Sequence, residues 1–112
     1  MKDVSFALLD SCLRELETLF EANRISSFAY SALYAEQAEL RLRVANLHVY
    51  QSFLSRCNGS GAVRNSIEDW SPELSSKSKA RLSEDCGAPQ NLAREISAHV
   101  TLVLLAALFG NT

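Results

Sequence analysis

The apolar residues near the start of the chain recur with the period of an α-helix. Between Phe6 and Phe20 they follow one another at alternating spacings of three and four, while charged residues gather on the opposite side. This pattern predicts a helix over about 4–23 with one apolar face, and Asn23 is a residue type that often ends a helix. The apolar face consists of Phe6, Leu9, Leu13, Leu16 and Phe20.

A second, longer helix is predicted over about 27–56, because this stretch contains neither glycine nor proline. Its apolar residues form two stripes on nearly opposite sides of the helix axis. The first stripe comprises Leu33, Leu40, Val44, Leu47 and Leu54. The second comprises Ala35, Ala38, Leu42, Ala45, Val49 and Phe53. The first helix can cover only one of them, so we expect the other to need a further partner.

The composition changes after the long helix. A serine-rich segment at 57–71 predicts a loop, and Ser71-Pro72 has the form of a helix start, since proline suits the first position of a helix. We therefore expect a short, weak helix over about 72–84. The sequence then predicts a last helix over about 89–109, opened by Gly87 and Pro89.

The last helix is apolar on one face at its start and on all sides at its end. Leu92, Ile96, Val100 and Val103 form the face, and beyond Val100 the polar side disappears. Leaving four or five leucine or phenylalanine side chains exposed forfeits about 10 kcal/mol, which is comparable to the whole stability of a small domain. The sequence therefore predicts an all-α fold, a helical hairpin with a long central helix plus a C-terminal apolar helix, completed by a second copy into a dimeric helix bundle.

Length, charge and terminal segments narrow the class of protein. A chain of 112 residues is one domain. Its net charge of −2 argues against direct nucleic-acid binding, because the one basic cluster, Arg64, Lys77, Lys79 and Arg81, is interrupted by serines. We expect no secretory signal at the start, and the apolar run at 100–109 is shorter than a membrane span. We expect a cytoplasmic protein without membrane contact.

The three cysteines fit a reducing compartment. Cys12 is expected to be a small buried hydrophobe, and a disulfide between Cys57 and Cys86 is conceivable but not expected in the cytosol. Cys86 has two interpretations: a reactive thiol whose pKa is lowered by a following helix N-terminus, or a partly buried structural cysteine, which we favour.

No constellation of residues in the sequence predicts catalysis, a metal site or a cofactor. His48 and His99 lie on different helices without spaced ligands, and His99 falls on an apolar face, where a core or interface histidine with a hydrogen bond is expected. The sequence contains no phosphate loop and no nucleophile elbow. We therefore expect a protein that is not an enzyme.

Residues 86–92, Cys-Gly-Ala-Pro-Gln-Asn-Leu, precede a helix that ends Leu-Leu-Ala-Ala-Leu-Phe-Gly. This stretch of about 25 residues resembles the C-terminal part of the bacterial quorum-sensing antiactivators of the TraM and QslA kind. The resemblance implies a small, all-helical, cytosolic protein that binds a LuxR-type transcription factor, such as LasR, and prevents it from dimerising or binding DNA. The serine-rich insertion departs from the tighter TraM pattern.

The resemblance and the surplus apolar surface together predict a protein-interaction inhibitor. We expect it to sequester a LuxR-type regulator by occupying the regulator's dimerisation surface. The residues expected to bind this partner are Tyr30, Tyr34, Leu42, Val49 and Phe53; the two tyrosines could equally pack against the third helix. The residues expected to form the self-interface are Val100, Leu102, Val103, Leu105 and Phe109. A secretion chaperone and a phage-type inhibitor of another bacterial protein are the alternatives.

Overall fold

The computed structural model describes residues 6–57 and 75–110, and every regular element within them is an α-helix. The elements are α1 (Phe6–Glu21), α2 (Ser27–Cys57), α3 (Ser76–Gly87) and α4 (Pro89–Phe109). The prediction of an all-α fold, with a long central helix and a C-terminal apolar helix, is confirmed. The serine-rich loop with Arg64, and the expected helix start at Pro72, lie outside the described residues.

The turn between α1 and α2 is closed by Asn23. Its φ of 59° lies in the left-handed region, which asparagine tolerates better than most residues. The N–H groups of Asn23 and Arg24 donate to the carbonyls of Phe20 and Leu19 at 3.0 and 2.8 Å, which satisfies two of the carbonyls left free at the end of α1. The prediction that Asn23 ends the first helix is confirmed.

Serine and proline define the starts of the later helices. The Oγ of Ser26 accepts a hydrogen bond from the N–H of Ala29 at 3.1 Å, and that of Ser75 accepts one from Ser78 at 3.2 Å. Pro89 occupies the first turn of α4, as predicted. Since α3 starts after Ser75 and ends at Gly87, its C-terminus lies three residues beyond the predicted end at 84.

The core lies between α2 and the other helices, in two clusters. The first contains Leu9, Leu40, Val44, Leu47, Leu92 and Ile96. The second contains Cys12, Leu16, Leu19, Ile25 and Val103, with Leu33 packed against it. The first apolar stripe of α2 therefore faces the core, as expected; Leu54, its last member, lies outside the described side chains.

The helices form a flat assembly that measures 53 × 26 × 18 Å. Two layers of helices with axes about 8–10 Å apart and Cα atoms about 2.3 Å from each axis span about 13–15 Å, so a thickness of 18 Å corresponds to two layers. The radius of gyration is 16.6 Å, against about 13 Å for a compact domain of this length. A bundle of this shape leaves one side of its longest helix uncovered.

A buried arginine joins three helices. The guanidinium of Arg43 donates to both carboxylate oxygens of Asp85 at 2.7 and 3.2 Å, and to both of Glu95 at 2.7 and 3.2 Å. These bonds raise the pKa of Arg43 and lower that of Glu95. Glu39, one turn before Arg43 on α2, contacts Arg81 at 2.6 Å instead of Arg43, which points inward.

His99 is buried in the interface between α2 and α4 with no solvent exposure. Its Nδ1 lies 3.6 Å from Oε2 of Glu36, and neither ring nitrogen has a hydrogen-bond partner among the described residues. Burial lowers the pKa of His99, and the carboxylate of Glu36 opposes this shift. The expected core position is confirmed, whereas the expected hydrogen bond is not formed.

Candidate protein-interaction surface

The second apolar stripe of α2 lies on the outside of the bundle, and we call it the outer stripe. Leu42 is 61% exposed and Val49 is 51% exposed, and Ala35 and Ala38 are exposed as well. Positions 35, 38, 42, 45 and 49 are separated by alternating steps of three and four, which is the spacing of a helix-pairing seam. Phe53 is half-buried and borders the same face. The helix thus presents a pairing surface on the side opposite its core.

A groove runs between this stripe and α1. Its volume is about 350 Å³, and two alanines leave room along the side formed by α2. The residues that line it are Phe6, Leu13, Tyr34, Gln37, Ala38, Arg41, Leu42 and Ala45. We expected Leu13 within the covered face of the first helix; it is half-buried and borders the groove instead. Periodicity alone could not separate Leu13 from its buried neighbours.

Three aromatic rings lie at one end of the α1–α2 hairpin. Tyr30 stacks on Phe20 with ring centroids 4.4 Å apart, and Tyr34 lies 5.8 Å from Tyr30. Burial and the carboxylates of Glu17 and Glu21 raise the pKa of Tyr30. The rings of the two tyrosines contact each other and Phe20 of α1, and Tyr30 also packs against the second core cluster, which includes Val103 of α4. Tyr34 remains 41% exposed beside the groove.

The end of α4 exposes a second apolar surface. Leu102, Leu105 and Phe109 are 45%, 43% and 66% exposed and, with Ala106, surround a shallow depression of about 450 Å³. Leu104 and Leu108 are exposed on another side of the same helix. Phe28, near the start of α2, is 84% exposed, and no sequence pattern singled it out.

Two of the residues expected in the self-interface point inward. Val103 is 2% exposed and belongs to the second core cluster. Val100 is half-buried and packs against both clusters. We had grouped them with Leu102, Leu105 and Phe109 because the helix is apolar all round, but the contacts with α1 cover one side of it. Of the five residues expected in the self-interface, Leu102, Leu105 and Phe109 lie at the surface.

The last turn of α4 is held by the turn that joins α1 and α2. Nη2 of Arg24 donates to the carbonyl oxygen of Ala107 at 2.7 Å, and a cation at this end also interacts favourably with the helix dipole. Gly110 follows with a φ of 68°, and its N–H donates to the carbonyl of Ala106 at 2.9 Å. The exposed apolar end therefore has an ordered backbone.

By length and composition, α4 as a whole is capable of crossing a membrane. It has 21 residues and a mean hydropathy of 1.6 over its most apolar window, 22% of which is buried. The apolar run at 100–109, which is shorter than a membrane span, is only the second half of this helix. The core helix of a soluble protein meets the same criterion, and α4 contributes Leu92 and Ile96 to the core.

The residues considered for chemistry are not brought together. His48 lies edge-on to Phe6, with ring centroids 5.8 Å apart, whereas His99 is buried between α2 and α4. Within residues 6–57 and 75–110, no group of three or more His, Cys, Asp or Glu side chains is arranged to hold a metal ion.

The cysteines that the structure describes are buried or half-buried thiols. Burial and the neighbouring Asp85 raise the pKa of Cys86 to about 11, and the side chain packs against the first core cluster. Cys86 lies in the last turn of α3, three residues before the start of α4 at Pro89. The interpretation as a reactive thiol with a lowered pKa is therefore wrong. Cys12 is 5% exposed in the second cluster, as expected.

No protein-family model, curated protein or solved structure matches the chain. The geometry of its described residues defines an all-α bundle whose notable surfaces are apolar.

Proposed function

We propose that the protein is a non-enzymatic inhibitor that sequesters a LuxR-type quorum-sensing transcription factor by occupying its dimerisation surface. The observation that carries the proposal is the set of large hydrophobic side chains exposed within the described residues. The set comprises Leu8, Phe20, Phe28, Tyr34, Leu42, Val49, Leu102, Leu104, Leu105, Leu108 and Phe109.

The cost of this surface supports a function in protein binding. Fully burying one leucine or phenylalanine side chain is worth about 1.5–3 kcal/mol relative to leaving it in water. A small domain is stable by only about 5–15 kcal/mol, so a surface with this many exposed hydrophobic residues loses a substantial part of the available stabilisation. Exposed apolar surfaces such as the second apolar stripe of α2 and the end of α4 are typical of interaction sites.

The choice of partner rests on the resemblance of residues 86–110 to the quorum-sensing antiactivators. A LuxR-type regulator dimerises through an apolar surface in this proposal, and the outer stripe of α2 replaces the regulator's own second copy. The residues assigned to this contact are Tyr30, Tyr34, Leu42, Val49 and Phe53. Tyr30 acts mainly by supporting the exposed ring of Tyr34, since it is itself stacked on Phe20.

The end of α4 is assigned to a homodimer interface. Leu102, Leu105 and Phe109 lie on one side of the helix, so a second copy related by a two-fold axis would bury the same residues from both chains. This surface is separate from the outer stripe of α2, which leaves the stripe open for the regulator. A protein that binds a transcription factor acts in the same compartment, so the proposal includes a cytoplasmic location.

Coexpression with a tagged LuxR-type regulator tests the partner and the site together. The wild-type chain is expected to co-purify with the regulator and to abolish its binding to promoter DNA in a gel-shift assay. Leu42→Glu is expected to abolish co-purification, because it places a charge in the centre of the proposed contact. Leu104→Glu is the matched control, since Leu104 is 56% exposed and Leu42 is 61% exposed.

Two results would contradict the proposal. If the folded wild-type chain neither co-purifies with the regulator nor changes its DNA binding, the partner is wrong. If Leu42→Glu and Leu104→Glu both co-purify as the wild type does, the outer stripe of α2 is not the binding surface. Circular dichroism of each variant establishes that the helices are intact before either conclusion is drawn.

A further inference from the structure

We propose that the groove between α1 and α2 receives an amphipathic helix of the partner, and that this helix carries lysine or arginine on the flank next to α1. The inference rests on the proposed function, because it assumes that a protein partner binds the outer stripe of α2. It adds which element of the partner binds, where that element lies, and which charge it carries.

The shape of the groove fits a helix. Ala38 and Ala45 lie two turns apart on α2, and Leu13 and Phe6 border the groove from α1. Helix axes approach to about 8 Å only where small side chains meet, and alanine provides that space. Leu42 projects between the two alanines and is the one large side chain of the outer stripe between positions 38 and 45. An apolar helix face laid along the groove would pack around it.

The charges at one end of the groove are acidic. On α1, Glu17 follows Leu13 of the groove by one helical turn and Glu21 follows it by about two turns, so both extend the side of α1 that borders the groove. Their carboxylates also raise the pKa of Tyr30. Neither carboxylate takes part in an ion pair within the part of the chain that the structure describes. Farther along, the positive charge of Arg41 is met by Asp10 at 3.1 Å. A basic side chain on a bound helix would therefore find two available carboxylates and the exposed ring of Tyr34.

The helices of a second copy do not offer this combination within the described residues. On α2, the basic residue beside the stripe is Arg41, which already contacts Asp10 of its own chain, and Glu39 on the other flank is acidic. The exposed part of α4 beyond His99 contains no charged residue, and α1 is itself mainly acidic. Lys77, Lys79 and Arg81 make the start of α3 basic, but Leu82, its one large apolar residue, is buried in its own chain. The charge pattern therefore favours a different protein as the source of the helix.

Two synthetic peptides test the inference without any identified partner. Each has about 18 residues, or five helical turns, and the same leucine face; one carries lysine and arginine on its flanks, and the other carries glutamate there. Fluorescence anisotropy measures their binding to the full-length protein. We expect the basic peptide to bind at least about tenfold more tightly, with the difference shrinking as salt is added.

Three variants locate the binding. Ala38→Trp fills the groove and is expected to weaken binding of the basic peptide by at least about tenfold. Glu17→Gln combined with Glu21→Gln is expected to remove most of the preference for the basic peptide while leaving the apolar contact. Leu104→Glu is the control and is expected to bind like the wild type. All four positions are exposed, so the fold is expected to persist.

The inference is overturned if neither peptide binds, if both bind equally, or if Ala38→Trp binds like the wild type. A wild-type dimer that Ala38→Trp dissociates would overturn it too, because the occupant would then be a second copy. Its failure is distinguishable from failure of the proposed function. If the chain captures the LuxR-type regulator but binds no basic peptide, only the proposal for the groove is contradicted. If it binds the basic peptide but not the regulator, only the proposed partner is contradicted.

Discussion

Arg43 and His99 are both buried between α2 and α4, and their surroundings differ completely. Arg43 donates four hydrogen bonds to two carboxylates, one of which, on Asp85, is 2% exposed. Among residues 6–57 and 75–110, His99 has no hydrogen-bond partner, and the carboxylate of Glu36 lies 3.6 Å away. Along α2, the two contacts are about 10 Å apart, or seven residues at 1.5 Å each.

The comparison shows that one interface is held in two ways. Around Arg43 the positions of α3 and α4 on α2 are fixed by hydrogen bonds whose directions admit few alternatives. Around His99 the contact is held by apolar packing, with a polar ring whose nitrogens lose their hydrogen bonds to water on folding. The first arrangement specifies geometry, and the second lowers stability.

The largest effect is expected from removing the arginine. Arg43→Met leaves the buried carboxylate of Asp85 without a counter-ion, so the free energy of unfolding should fall by about 3–5 kcal/mol. Urea denaturation followed by circular dichroism measures this change. Arg41→Met is the control: Arg41 and Asp10 form a half-exposed pair, and its loss should cost about 1 kcal/mol or less.

A double variant separates the lost attraction from the stranded charge. Arg43→Met with Asp85→Leu removes both buried charges and should be clearly more stable than Arg43→Met alone. If the double variant is the less stable of the two, the carboxylate was not the cause of the loss.

A smaller effect of the opposite sign is expected at the histidine. His99→Leu removes two buried nitrogens without partners and should raise the free energy of unfolding by about 1–2 kcal/mol. Thermal unfolding is a sufficient readout, and His48→Leu serves as the control because His48 is exposed. If His99→Leu is less stable than the wild type, the packing of the imidazole ring stabilises the fold by more than its two buried nitrogens destabilise it.

The pH dependence of stability should reveal the same histidine. The folded-state pKa of His99 lies below its usual 6.5, so the unfolded chain binds a proton at a higher pH than the folded one. The free energy of unfolding should therefore fall as pH drops below about 6.5, with a slope of at most about 1.4 kcal/mol per pH unit, and stay level above it.

The difference between wild type and His99→Leu isolates this contribution. Glu95, whose pKa is lowered by Arg43, loses its stabilising charge only as the pH falls below its usual 4.5, and it does so in both proteins. Equal pH profiles for the two proteins between pH 5 and 7 would rule out His99 as the titrating group.

The smallest effect is expected at the surface of α3. Glu39 and Arg81 are 2.6 Å apart, but both side chains are partly exposed, so Glu39→Gln should lower the free energy of unfolding by less than about 1 kcal/mol. Urea denaturation at low and high salt measures it. If Glu39→Gln lowers the free energy of unfolding as much as Arg43→Met does, burial does not explain why the ion pairs of Arg43 stabilise the fold more than this one.

Local signals predicted the helices well. Apolar periodicity placed Leu40, Val44 and Leu47 in the core, and Asn23 marked the end of α1, because both depend on residues close together in the chain. The exposed outer stripe of α2 with Leu42 and Val49 also followed from that periodicity.

Contacts between distant segments could not be predicted in the same way. The partners of Arg43 lie 42 and 52 residues further along the chain, and only the packing of α3 and α4 brings them together. Val103 continues the face formed by Leu92 and Ile96, and its burial agrees with that face; its expected place in the self-interface came only from the apolar residues all round the helix end. The stacking of Tyr30 on Phe20 depends on how the hairpin closes.

The hydrogen bond from Arg24 to Ala107 has a consequence for any interface at the end of α4. Fixing the backbone of one residue costs about 1–2 kcal/mol of conformational entropy. In this molecule the last turn is already ordered when the protein folds, so a second protein that covers Phe109 meets a preorganised surface. The binding free energy at that end can then go into contact rather than into freezing a frayed terminus.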